Sequence, residues 1–347
     1  MTIQDRKALK QASQRRLKAA SYNPRRLMAI HSGVAMGVAL LVAVLNYVIA
    51  WQIDAKGGGL AGLPMRSVLD TAATVLTILQ LALSPFWAMG LSYATLRQAR
   101  GKSAYPATLL EGFRRFGPVL RMLLMEGIIY SIITLAAMYG AYFFYGLTPA
   151  GQAFNDELLT MLAQGMDYMA IFESIPQQTI DQVSRIYLPV FLVVWLVLVI
   201  PAAYRMRLAP YVLMDKEGTG AWKAIRTSGK LTRRNCGKLL VLDLSYWWYY
   251  LIPAVLMLPA YADLLLPLVG IPLPADAEVV YLAGYVTYGV LTLIFQIAAK
   301  PKVAITYALT YDVLLEAAAQ AEPPKPAQPE ERAPYSDVYG YPPRSEE

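Results

Sequence analysis

The sequence predicts an all-α fold, a polytopic membrane helical bundle of about six transmembrane helices with both ends in the cytoplasm. Three observations predict it. Hydrophobic residues make up 56% of the 347-residue chain and charged residues only 16%, far from the soluble average. The apolar residues fall in blocks long enough to cross a bilayer, and the basic residues sit in alternate connections.

The first 26 residues are polar and basic, forming a cytoplasmic N-terminal segment without the pattern of a signal peptide. The next block, 27–51, is too long for a signal h-region and reads as the first retained span. Five more blocks pass the same test, at about 68–96, 119–145, 186–212, 239–261 and 279–299. Each is long enough to satisfy its own backbone inside hydrocarbon. Pro85 lies in the second block, Pro189 and Pro201 in the fourth, Pro253 and Pro259 in the fifth, so bends are expected in those three helices.

Orientation follows from Lys and Arg. The N-terminal segment holds eight, the second connection six and the fourth nine, against three (Lys56, Arg66 and Arg185) on the opposite side. That bias sets both termini on the inner side, as expected of a multi-pass protein of the cytoplasmic (cell) membrane. The third connection is acidic. Phe154, Leu158, Leu162, Met166 and Met169 recur there at steps of three or four, predicting an outer amphipathic helix over 154–172. Ser174 and Pro176 then read as the start of a helix running into the fourth span. The membrane domain is drawn at 27–315, with 303–315 either extending the sixth helix or lying on the surface. Residues 316–347 form a Pro/Tyr-rich tail, with seven prolines in the last 27 residues, too polar to bury a core and expected to be disordered.

The two long basic connections repeat one order of parts. Each follows a helix ending in Tyr and Arg (Tyr93 and Arg97; Tyr204 and Arg207), then carries an amphipathic basic segment. Each re-enters through a basic residue, four apolar residues and an acid, Arg121 to Glu126 and Lys238 to Asp243. The runs Asp5-Arg-Lys-Ala-Leu-Lys10, Tyr204-Arg-Met-Arg-Leu-Ala-Pro-Tyr211, Ala221-Trp-Lys-Ala-Ile-Arg-Thr-Ser228 and Lys238-Leu-Leu-Val-Leu-Asp-Leu-Ser245 resemble the bacterial integral membrane family catalogued as domain of unknown function 975. The resemblance spans about residues 5–315 and is similar also to the membrane domain of some glycerophosphodiester phosphodiesterases. It implies a multi-pass cytoplasmic-membrane protein without an established activity. The long acidic outer segment and the Pro/Tyr tail depart from that family's pattern.

Two groups of residues stand out. Glu126 and Asp243 are ionisable groups about a turn or more inside hydrocarbon, where an unpaired charge costs several kcal/mol. They form an intramembrane polar site with Arg121 and Lys238, either as carboxylates that exchange a proton or cation, or as polar glue tied to those two bases or to backbone. The 219–234 segment carries Trp222, Lys223, Arg226, Lys230, Arg233 and Arg234, with Thr219 as a cap and Trp222 and Ile225 on one face. It suits a helix facing anionic lipid.

The run from Tyr246 to Tyr250 reads as packing and interface anchoring, and His31 as a histidine hydrogen-bonded to a neighbour. Cys236 and His31, each the sole residue of its kind, exclude intrachain disulfides and disfavour metal clusters, so neither a metal nor a cofactor is expected. No nucleophile-elbow, zincin or kinase motif occurs, and no recognition fold accompanies the charge. The expectation is a non-enzymatic protein that engages anionic membrane lipid or a partner protein through its cytoplasmic basic face, with no nucleic acid and the identity of any protein partner open. Its rival is a small-solute or lipid transporter using the intramembrane carboxylates.

Overall fold

The computed structural model describes residues 6–55, 63–167, 170, 174–175, 177–261 and 277–321. Every element among them is helical. Five of the helices are long and apolar enough to cross a membrane, six if one bent pair is counted as a single span. The chain is a helical multi-pass membrane protein, and its spans turn large apolar side chains such as Leu81 and Val197 outward, as a lipid solvent allows.

Helix α1 (Arg6–Ala19) is polar but buries Leu9 and Ser13, one turn apart, as it packs along the last helix of the chain. The basic N-terminal segment is therefore fastened to the bundle. Asn23 caps α2 (Pro24–Ala55), its side chain accepting from the Arg25 N–H at 2.9 Å, with Pro24 at the first position. Helix α3 (Leu63–Ala99) contains Pro85, which leaves the Leu81 carbonyl without its usual donor; the Ser84 hydroxyl donates to that oxygen at 3.4 Å. A 3₁₀ turn (Pro106–Leu110) and α4 (Glu111–Arg114) then lie back along α3. This contact needs glycine on both sides: a β-carbon on Gly90 would meet the Leu109 backbone, and one on Gly112 the Phe86 carbonyl.

Helix α5 (Phe116–Gly146) pairs with α7 (Gln177–Met206). Between them α6 (Pro149–Ala163) starts at Thr148, whose side chain accepts from the Gly151 N–H, and stops before Gly165 at φ +76°. This helix begins earlier and ends sooner than the sequence pattern suggests, because the cap and the positive-φ glycine outrank the apolar period. Met166 falls past its end, and Met169 and Phe172 lie outside the described residues, as does the tail from 322 onward.

The fourth and fifth spans depart from the expected single helices. Helix α7 ends at Met206 and the chain turns into α8 (Ala209–Asp215). Pro210, the second residue of α8, has no N–H to offer the Met206 carbonyl and breaks the helix there. Ser228 braces the turn, donating to the Arg205 carbonyl at 2.6 Å and accepting from the Leu208 N–H at 3.1 Å. The fifth span is α10 (Cys236–Leu244) and α11 (Trp247–Leu256), bent by 52° at Ser245 and Tyr246, well ahead of Pro253. The last helix, α12 (Ala277–Ala321), runs unbroken through Pro301 for 45 residues, about 68 Å at 1.5 Å per residue. That is twice a hydrocarbon core of about 30 Å, so 303–315 extends the sixth helix beyond it.

The largest buried core lies at the basic end of the bundle. Leu96, Ala99, Val119, Leu213, Ala224 and Ile305 meet there, drawn from α3, α5, α8, α9 (Ala221–Thr232) and α12. Val303, Ile305, Ala308, Tyr311 and Leu314 bury successive faces of α12, the signature of a helix enclosed by others.

Candidate functional site

The break in the fifth span organises the site. Where α10 gives way to α11, the Ser245 carbonyl loses its helical donor and accepts from Lys10 Nζ of α1 at 2.8 Å. The same ammonium sits 4.2 Å from the centroid of the Tyr246 ring. Burial first, then the charges of Lys302 and Arg6, hold the Lys10 pKa below its ordinary value. Tyr246 is itself buried, its hydroxyl 2.9 Å from that of Thr306 on α12. Lys10→Met is expected to lower the apparent unfolding midpoint of detergent-purified protein by an amount equivalent to about 1.5 kcal/mol, the low end for a charged donor because Lys10 is only partly buried. An unchanged midpoint would show that the break stands without α1.

One turn before the break, Asp243 accepts from three donors. They are Arg207 Nη1, the Tyr307 hydroxyl and the Tyr204 hydroxyl, the last at 2.6 Å. The Arg207 guanidinium lies 4.2 Å from the Tyr307 ring centroid and 5.4 Å from that of Tyr204, and Tyr250 reaches the Tyr307 hydroxyl at 3.2 Å. Asp243 and Arg207 side chains are only 14% and 24% exposed, so the pair is largely withdrawn from solvent and lipid. Arg207 Nε and Nη2 make no hydrogen bond among the described residues.

Tyr204, Arg207, Asp243 and Tyr250 form the floor of a groove of about 820 Å³ between α7 and the bent fifth span. Its walls are apolar, including Leu240, Leu244, Trp247 and Leu251, and it is open along one side.

The sequence placed the bases of this site wrongly. Lys238 and Arg121 are exposed and pair with neither carboxylate. Each stands five residues before its acid, about 140° away around a helix, and so points to a different face. Arg207 comes instead from the turn after α7. Glu126 is half-buried on α5 and has no hydrogen bond or ion pair among the described residues. The two repeat units thus share cation–ring contacts, Arg97 over Tyr93 at 5.8 Å and Arg207 over Tyr204, but only the second closes on its carboxylate.

Helix α9 presents the second candidate surface. Trp222, Lys223, Arg226 and Lys230 are exposed, and 3.6 residues per turn puts them within an arc of about 100°; Arg233 and Arg234, also exposed, follow just past the end of the helix. The opposite face, with Ala221, Ala224, Ile225, Ser228 and Leu231, is buried in the protein core. Trp222 and Ile225 therefore face different ways, and the helix buries its apolar face in protein rather than in lipid. Gly220, not Thr219, occupies the cap position.

Sequence reasoning missed a third cluster. Arg100, just past α3, pairs with Asp215 of α8 and with Asp312 of α12 at 2.7 Å, and Tyr311 donates to Asp215 at 3.0 Å. Hydrogen bonding to Asp215 above all, and then to Asp312, raises the Arg100 pKa above its ordinary value. The only signal available was a lone aspartate in each of two apolar stretches. His31 also differs from expectation: it stacks on Trp87 at 5.8 Å, but neither ring nitrogen has a partner among the described residues. No group of three or more His, Cys, Asp and Glu gathers as a metal site among the described residues.

A family model described as a protein of unknown function (DUF975) matches residues 1–317, and the chain belongs to that family. No curated protein and no solved structure matches it. The likeness to the membrane domain of glycerophosphodiester phosphodiesterases is not shown by these comparisons.

Proposed function

We propose that this member of the family is a non-enzymatic protein of the cytoplasmic membrane that engages anionic lipid through the outward face of α9, both termini lying on the same, cytoplasmic side. One observation carries the reading: Trp222 shares its outward arc with three cations, two more follow at the helix end, and the apolar side of the helix is already used in the core. Such a face has no hydrophobic partner left to find inside the protein. A tryptophan among Lys and Arg suits the headgroup region, where the ring is amphipathic and each cation adds on the order of 1 kcal/mol of attraction to an anionic leaflet. The basic N-terminal segment and the second connection converge on the same end and reinforce that field.

The transport reading asks for a carboxylate free to exchange its partner. Asp243, held by an arginine and two tyrosine hydroxyls, is poorly placed for that; Glu126 remains for it.

The test excises the protein with its surrounding lipid in polymer nanodiscs and counts the lipids by mass spectrometry. The combined Arg226→Glu, Arg233→Glu and Arg234→Glu variant is expected to lose anionic-lipid enrichment, each removed charge lowering the local preference by about fivefold. An unchanged ratio of anionic to neutral lipid sinks the proposal.

A further inference from the structure

We infer that the groove between α7 and the bent fifth span is a binding site for one phosphate-bearing glycerolipid, its phosphate on Arg207 and its acyl chains along Leu240, Leu244 and Leu251. This goes beyond the α9 reading and does not rest on it.

The occupant follows from the two halves of the groove. Its walls belong to membrane-spanning helices and present side chains 43% to 61% exposed, so what fills the open side in a bilayer is lipid. Its volume of about 820 Å³ is that of a ligand pocket, which typically spans about 300–1,000 Å³.

The floor selects the head. Asp243 uses its charge on Nη1 of Arg207 and on two tyrosine hydroxyls, leaving Nε and Nη2 of the same guanidinium without a partner among the described residues. Guanidinium edges of that kind match two phosphate oxygens. The Tyr307 ring stacked on the guanidinium fixes its plane. An unpaired N–H edge in a mostly apolar cleft is costly unless a ligand completes it. A neutral diacylglycerol has no anion to offer, and a free phosphate would leave the apolar walls unfilled.

Native mass spectrometry of the purified full chain tests this, with phosphatidylglycerol, diacylglycerol of the same acyl chains and inorganic phosphate as probes. Two variants attack different halves of the site: Arg207→Gln with Asp243→Asn, which removes both charges together, and Ala254→Phe, which fills the apolar wall and leaves the arginine in place. The wild type is expected to retain one phosphatidylglycerol and at least tenfold less diacylglycerol. Each variant is expected to lose tenfold or more of the bound phospholipid; should the charge-neutral variant not fold, Ala254→Phe decides alone. Equal retention of diacylglycerol, or full retention in Ala254→Phe, overturns the inference. Displacement of the lipid by inorganic phosphate overturns the lipid assignment in favour of a free phosphate site. The α9 triple variant is expected to keep this bound lipid while losing its anionic surroundings, so failure of either reading shows separately.

Discussion

Asp243→Ala is expected to destabilise the protein by about 3 kcal/mol, measured as the loss of folded fraction in a denaturant titration of detergent-purified protein. Removing one partner of a largely buried ion pair typically costs about 3–5 kcal/mol, because the other charge is left behind uncompensated. The low end applies because Arg207 is 24% exposed and keeps its stacking on Tyr307. Two further hydroxyls, of Tyr204 and Tyr307, lose their acceptor at the same stroke. Asp243→Asn should cost less, since the amide oxygen still accepts from part of this set.

Two comparisons make the expectation sharp. Combining Asp243→Ala with Arg207→Met should recover part of the loss, because it removes the stranded charge. Glu126→Gln, at the equivalent point of the first repeat unit, should be close to neutral or stabilising, since no described residue pairs with that carboxylate. Equal losses at Asp243 and Glu126 would contradict the asymmetry between the two units.

That asymmetry marks how far the sequence could be read. The spans were legible because a bilayer demands apolar runs of its own thickness, and blocks such as 119–145 fall inside the observed Phe116–Gly146. Both carboxylates could be singled out by their depth alone. Their partners could not, because Pro210 announces a break after α7 but not that Arg207 reaches Asp243 across it from 36 residues away. Ser228 braces that turn from a neighbouring helix, and Lys10 takes the carbonyl freed at the other break. Local residues do not record such long-range hydrogen bonds. The fate of 303–315 was open for a related reason, as an apolar stretch reads alike on a surface and inside a core. On α9 the basic residues were legible, but the direction of Trp222 was not, since only the packing of Ile225 and Ala224 shows which side is taken.

Gly90→Val should be the most damaging single substitution outside the ionic site, with a loss of more than about 3 kcal/mol in the same titration. Helical propensity alone predicts the opposite, because replacing a mid-helix glycine by alanine gains about 1 kcal/mol. Gly127, in α5 with open space around its Cα, isolates that term, and Gly127→Ala should be neutral or mildly stabilising. At Gly90 the added carbon would fall on the Leu109 backbone, which cannot rotate away as a side chain could. The 3₁₀ turn would have to lift off α3, pulling fully buried Leu109 from its contacts with Leu27, Met28 and Leu91. Lifting also separates Gly112 from Phe86, whose ring stacks on Phe113 at 5.7 Å and Phe116 at 4.7 Å. Gly90→Ala should already cost more than 1 kcal/mol net, and valine more again because its branched carbon has no rotamer that clears the carbonyl. If Gly90→Ala instead matched Gly127→Ala, the 3₁₀ turn would not be held closely against α3, and the second connection would lose its claim to a fixed seat on the bundle.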